Sequence, residues 1–141
     1  LLDIQSKKVD KLLSSVKQQA IFLDRDGVIN SEVGYIKRPS ELKMISGVAK
    51  GIKKINDHGT LAVVVSNQPV IARGDCSEQE LKNIHNKLET LLGRDSAYLD
   101  AIYYCPHHPE SGHRGEVSAL KIECNCRKPK PVFAQRETNI C

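Results

Sequence analysis

Residues 20–30 read AIFLDRDGVIN, and the fold turns on how they are read. Four apolar residues stop abruptly at Asp24-Arg25-Asp26-Gly27. A short continuous apolar run that breaks off in this way is the pattern of a buried parallel strand emptying into a loop. Two carboxylates two residues apart, just beyond such a strand, can point into one cleft. One can attack phosphorus as a nucleophile. The other can protonate the leaving oxygen and then activate water. Their joint charge calls for a cation, and magnesium, which bridges carboxylate and phosphate oxygens, suits them best. Gly27 lets the backbone turn sharply there. An ordinary acidic turn is the plain alternative.

The surrounding pattern repeats the theme. Val48, Ile52 and Ile55 share a helical stripe that Gly59 ends. Residues 61–65 form a second buried strand, followed by Ser66-Asn67-Gln68. Ser77 and Glu80 make a capping box, and Leu81, Ile84, Leu88 and Leu91 carry the next helical stripe. Residues 101–104 read as a third strand running into Cys105. Strand, helix, strand, helix, strand is the alternation of a parallel α/β sheet, whose chemistry collects at the carboxyl ends of the strands. Val9, Leu12, Leu13 and Val16 suggest a further amphipathic helix over residues 6–16. The expected organisation is a helical segment or linker at 1–18, one domain at 19–131 and an atypical tail at 132–141.

Three more constellations carry chemistry. The hydroxyl of Ser66 and free N–H groups at a strand end can hold a phosphoryl oxygen as its charge shifts, although polar residues after a strand are also a common loop. Arg73, a few residues on, is either a bidentate phosphate partner or a solvated surface arginine. Cys105-x-His107 and Cys124-x-Cys126 supply three thiolates and an imidazole, a closed tetrahedral zinc set with no open position for chemistry. His107 is preferred to the adjacent His108. Cys76 and Cys141 have no partner pattern, and His58, His85 and His113 read as surface or helix-packing residues. Arg127-Lys128-Pro129-Lys130-Pro131 directly follows the last ligand. It is either a basic arm held over an anion by the metal loop or a proline-stiffened linker.

Composition narrows the class. The chain has 141 residues, net charge +4 and 27% charged residues, as expected of one globular domain. The basic residues are scattered, and four tyrosines and two phenylalanines are few for nucleic-acid binding, so a small anion explains the surplus better. No apolar run reaches the length of a membrane span, and the opening LLDIQSKKVDKLL lacks a signal-peptide core. An odd number of cysteines without an export signal points to reduced thiols and a cytoplasmic chain.

Together FLDRDGVIN, VSNQPVIARG and CPHHPESG…CNCRKPKP closely resemble the D-glycero-D-manno-heptose 1,7-bisphosphate phosphatases, of the histidinol-phosphatase branch of the haloacid dehalogenase superfamily. The likeness runs from about Ala20 to Pro131. It implies a capless Rossmann-like parallel sheet with a zinc-binding loop, and hydrolysis of the 7-phosphate of a heptose bisphosphate. By the resemblance, Asp24 is the nucleophile and Asp26 the proton donor. Both bind magnesium, Asp26 through its backbone carbonyl. Ser66 and Lys128 stabilise the transferring phosphoryl group. Arg25, Asn67, Gln68, Pro69, Arg73 and Arg127 contact substrate, with the segment Glu32-Val33-Gly34-Tyr35. Cys105, His107, Cys124 and Cys126 bind zinc.

Two departures qualify the likeness. Pro69-Val70 replaces a common Ser-Gly and removes a backbone donor. The later G-D-x-x-x-D motif, which supplies a further magnesium carboxylate, is absent before the chain ends in VFAQRETNIC. The expectation is therefore a domain incomplete at its C-terminus, with an open sheet edge and weak or no turnover. The opening residues faintly resemble the tail of a sugar nucleotidyltransferase, which implies a fused or adjacent partner of that kind. Histidinol-phosphate phosphatase is the nearest rival reading. A non-enzymatic zinc-stabilised fragment is the rival from another class.

Overall fold

The computed structural model describes residues 19–130 and forms the alternating elements in the expected order. They are β1 (Ala20–Leu23), α1 (Val48–Asp57), β2 (Leu61–Asn67), α2 (Glu78–Gly93) and β3 (Ala101–Cys105), with short 3₁₀ turns at Pro39–Glu41 and Ser118–Leu120. The strands lie in the order β1-β2-β3, parallel throughout. Leu23 pairs with Val64, and Asn67 with Cys105, so the three carboxyl ends open on one side of the sheet. The proposed helix over residues 6–16 and the tail at 132–141 lie outside the described residues.

The helices form where the sequence places caps and stripes. Ser77 Oγ accepts the Glu80 N–H at 3.1 Å, and the Glu80 carboxylate accepts the Ser77 N–H at 2.8 Å, which closes the capping box of α2. Its inner face buries Leu81, Ile84, His85, Leu88 and Leu92. Leu91, placed on that stripe from the sequence, is only partly buried and packs at its margin, where Leu92 lies within it. α1 buries Ala49 and Ile52. One apolar core joins these residues to Ala62 and Val64 of β2, Tyr104 of β3 and the chain around Ile29 and Ile36.

β1 departs from the expected buried strand. Ile21 and Phe22 are 42% and 57% exposed. Among the described residues β1 pairs on one side only, so one edge and much of its surface face outward. Its short apolar run gave no means of telling an edge strand from a central one. β2, by contrast, is buried along most of its length and carries Ser66 and Asn67 within the strand. Val70, Ile71 and Ala72 then turn back into the core and hold the next loop close. At Gly74, with φ +74°, a Cβ would stand 1.9 Å from the Gly115 carbonyl oxygen, so only glycine admits the chain after Cys105 so near. The Val117 N–H donates to the Ala72 carbonyl at 2.9 Å across that junction.

Candidate active site and metal centre

Asp24 follows β1 directly, and its side chain is 43% exposed at the mouth of the strand ends. Its Oδ1 accepts the Arg25 N–H at 2.7 Å, and its Oδ2 lies 2.7 Å from Lys128 Nζ. The loop beyond is tightly wound. Gly27, at φ +77°, donates its N–H to the Asn30 carbonyl at 2.8 Å, and the Ile29 N–H reaches the Arg25 carbonyl at 2.9 Å.

Asp26 points differently. Its Oδ1 accepts Arg25 Nη2 at 2.9 Å, Arg25 Nε at 3.2 Å and Asn30 Nδ2 at 3.0 Å. Its Oδ2 accepts Arg25 Nη2 at 2.9 Å and Gln68 Nε2 at 2.8 Å. The carboxylate is thus fixed in orientation while its side chain stays 21% exposed. Gln68 Nε2 also donates to Ser66 Oγ at 2.7 Å, and Gln68 Oε1 accepts Arg25 Nη2 at 3.0 Å. Gln68 ties the loop after β1 to the end of β2. Its own N–H donates to the Cys105 carbonyl at 2.8 Å, which adds the end of β3.

Arg25 requires a correction. Expected among the substrate contacts, it is 1% exposed, and its guanidinium faces Asp26, Gln68 and His85. From a loop that has already left β1, its side chain turns inward onto the Asp26 carboxylate. Its side chain therefore orients the carboxylate and does not line the cleft.

The basic segment enters through Asn67. Asn67 Oδ1 accepts the Lys128 N–H at 3.0 Å, and Asn67 Nδ2 donates to the Lys128 carbonyl at 3.4 Å. Arg127 Nη1 donates to the His107 carbonyl at 3.2 Å. Asp24, Asp26, Ser66, Asn67, Gln68 and Lys128 are consequently one connected group. Tyr35 and Arg73 form a second, with the guanidinium 4.6 Å above the ring and Nη2 3.2 Å from His108 Nε2. Arg73 Nε is buried without a partner. Glu32 Oε1 accepts the Gly34 N–H at 3.0 Å, and Val33 and Tyr35 are exposed beside it. Pro69 is buried at the head of the Val70–Ala72 turn, so it shapes this loop from within.

Cys105, His107, Cys124 and Cys126 converge, their ligating atoms all within 4.8 Å of one another. The three sulfurs are 3.4 Å apart pairwise, and His107 Nδ1 lies 3.5 Å from Cys126 Sγ and 3.8 Å from Cys105 Sγ. Tetrahedral zinc with sulfur ligands at about 2.3 Å spaces them about 3.8 Å apart, so modest expansion accommodates the ion. Burial pushes the Cys105 thiol up to about 12 and lowers the His107 imidazole. Cys105 and Cys124 are free thiols, whereas Cys126 is in disulfide linkage, so a four-ligand zinc site requires that bond to be reduced. His108, set aside in favour of His107, is buried against Arg73 and does not join the cluster.

Magnesium meets a sparser donor set. Asp26's carboxylate is taken up by Arg25, Asn30 and Gln68, whereas Asp24, held by the Arg25 N–H and Lys128, is the more exposed carboxylate of the two. This fits an ion that keeps several waters.

Two residues without an assigned role stand out. Asn30, at the end of the DRDGVIN stretch, helps hold Asp26. His85, in the apolar stripe of α2, meets Arg25 Nη1 at 3.4 Å. A polar residue inside a helical apolar stripe was the available signal for the second, since such groups need a buried partner.

No protein-family model matches the chain. It is 43% identical over 120 residues to the D-glycero-beta-D-manno-heptose-1,7-bisphosphate 7-phosphatase of Haemophilus ducreyi, an overlap of 84% of this chain and 63% of that protein. The fold is similar to the crystal structure of D,D-heptose 1,7-bisphosphate phosphatase from B. bronchiseptica, complexed with magnesium and phosphate. The TM-score there is 0.71 at 32% identity, covering 83% of this chain and 60% of that one. A HAD-like phosphatase from Mesorhizobium loti gives a TM-score of 0.75 at 30% identity, covering 83% and 54%. The chain spans about three-fifths of the length of the curated relatives that it matches.

Proposed function

The chain is homologous to the heptose-1,7-bisphosphate 7-phosphatases over the part of them that it spans, and from that premise we propose that its strand-end site is a phosphatase site for a heptose bisphosphate, working through an aspartyl-phosphate. The observation that carries the proposal is Asp24 Oδ2 at 2.7 Å from Lys128 Nζ, with Asp26 fixed two residues on. A lysine delivered from a distant loop onto the first carboxylate supports the nucleophile reading over a plain acidic turn.

In this reading an Asp24 oxygen attacks phosphorus, and the bond from phosphorus to the sugar oxygen breaks. Asp26 gives its proton to the departing oxygen and then takes one from the water that attacks the phosphoryl-Asp24. That second displacement releases inorganic phosphate and restores the Asp24 carboxylate. Lys128 and the Ser66 hydroxyl offset charge on the equatorial oxygens. Asp24 and the Asp26 main-chain carbonyl would hold magnesium, which would neutralise phosphate charge and help to orient it. Cys105, His107, Cys124 and Cys126 would hold structural zinc, which would rigidify the loop carrying Arg127 and Lys128. A small sugar phosphate is the proposed partner, with Arg127, Tyr35 and Arg73 as candidate contacts to its remote end.

The deciding assay is phosphate release from heptose 1,7-bisphosphate with magnesium, beside histidinol phosphate, for the chain joined to the C-terminal part of a heptose bisphosphate phosphatase, with and without Asp24→Asn. Turnover of the heptose ester that disappears in Asp24→Asn is the expected result. Preference for histidinol phosphate, or unchanged turnover in the variant, would overturn the proposal.

A further inference from the structure

The Arg25 guanidinium is a full charge at 1% exposure, and each of its nitrogens is engaged. Nε and Nη2 meet Asp26 and Gln68, and the partner that the structure gives Nη1 is His85 Nε2 at 3.4 Å. We infer that His85 is a positioning residue for the reaction: its ring anchors Arg25 from α2, and Arg25 in turn fixes the carboxylate of Asp26. The inference rests on the phosphatase reading for its catalytic consequence, though not for its geometry.

A guanidinium has only N–H groups to offer, so Nε2 must accept, and the ring proton must reside on Nδ1. The ring is 8% exposed and lies edge-on to Tyr104, centroids 5.7 Å apart. Burial, then the nearby Arg25 charge, lower its protonation to about 4, which keeps the ring an acceptor at neutral pH. α2 also buries Ile84 and Leu88 on either side of this ring position, so the anchor rides on a helix seated in the core. Asp26 is thereby held from three directions: Asn30 in its own loop, Gln68 at the end of β2, and Arg25 backed by α2. Only the last route joins the proton-transfer group to a rigid helix.

Loosening it should tell most where proton donation matters most. An alkyl oxygen leaves poorly without a proton, whereas a p-nitrophenolate leaves well without one. Misplacement of a catalytic group by about 1 Å can cost roughly a hundredfold, so we expect His85→Leu to lower kcat on heptose bisphosphate at least about tenfold more than on p-nitrophenyl phosphate. His85→Gln, whose amide oxygen can accept from Nη1, should recover most of the difference. Equal losses on the two esters, or no rescue by glutamine, would overturn the positioning role. The companion measurement is the nitrogen-15 spectrum of the wild-type imidazoles, which needs no turnover. His85 should show a protonated Nδ1 and a bare Nε2, and a protonated Nε2 would overturn the anchor itself. If the chain joined to the C-terminal part of a heptose bisphosphate phosphatase hydrolyses neither ester, the phosphatase reading fails and the catalytic role with it, while the ring tautomer still decides whether His85 anchors Arg25.

Discussion

Replacing Asn67 with alanine should release Lys128 from the strand ends, and the structure sets how much that costs. Asn67 makes one good bond, from the Lys128 N–H at 3.0 Å, and one marginal bond, to the Lys128 carbonyl at 3.4 Å. Bonds of this kind contribute about 0.5–1.5 kcal/mol each, and the longer one belongs at the low end, so the loss should be about 1–2 kcal/mol. The Lys128–Asp24 ion pair cannot compensate. Its side chains are 31% and 43% exposed, and exposed pairs contribute about 0–1 kcal/mol. Urea titration should report the stability loss, and hydrogen exchange should find the Lys128 amide deprotected. The sharper assay is a double-mutant cycle on kcat/KM with Lys128→Met. If Asn67 acts by placing Lys128, its removal should matter little once the ammonium is gone. Fully additive losses in the cycle would refute the reasoning, since Asn67 would then act on the substrate directly.

Four other outcomes follow from named contacts. Leu88→Ala, at a position with no exposed surface, should cost about 2–5 kcal/mol in urea denaturation. Gly74→Ala should destabilise by roughly 1–3 kcal/mol or displace the Gly115 loop, because the new Cβ meets a carbonyl oxygen in a left-handed backbone conformation; a melting curve equal to wild type would contradict that close approach. His85 titrates near 4 when folded and near 6.5 when unfolded, so between those values the unfolded chain binds a proton that the folded chain does not. Stability should therefore fall by roughly 3 kcal/mol from pH 6.5 to pH 4, and a His85→Gln variant should lose that part of the slope. The reduced chain should bind one zinc ion at the four-ligand cluster, and Cys105→Ser should weaken binding and lower the melting temperature of the zinc-loaded form.

Much of the site was legible because its residues lie in short runs at strand ends. DRDG, SNQ and CRK each closely follow an apolar strand or a cysteine of the Cys/His cluster, so position along the chain stood in for position in space. The exposure of β1 was not legible, since four apolar residues look alike in a central strand and in one paired on a single side. The inward turn of Arg25 was missed for another reason. Charged residues are rarely buried, and only contact with Asp26, Gln68 and His85 together makes burial tolerable here. That set combines residues from two loops and a helix, which local pattern does not connect.

The same connections explain why a Cys/His cluster that could close around a metal with no open coordination position can still matter to chemistry. Cys105 ends β3, and its carbonyl receives the N–H of Gln68, the residue that also holds Asp26. Cys126 lies two residues before Lys128, whose backbone Asn67 grips at the end of β2. Because Asn67 pairs in register with Cys105, the cluster and the Asp24 carboxylate share one set of strand ends. A short tether from Cys126 leaves Lys128 little freedom, and the ammonium stands at 2.7 Å from the carboxylate without a strong ion pair to keep it there. Zinc at these four ligands would therefore act on placement, which argues that its loss should impair turnover through Lys128 before it unfolds the α/β core around Leu81, Ile84 and Leu88.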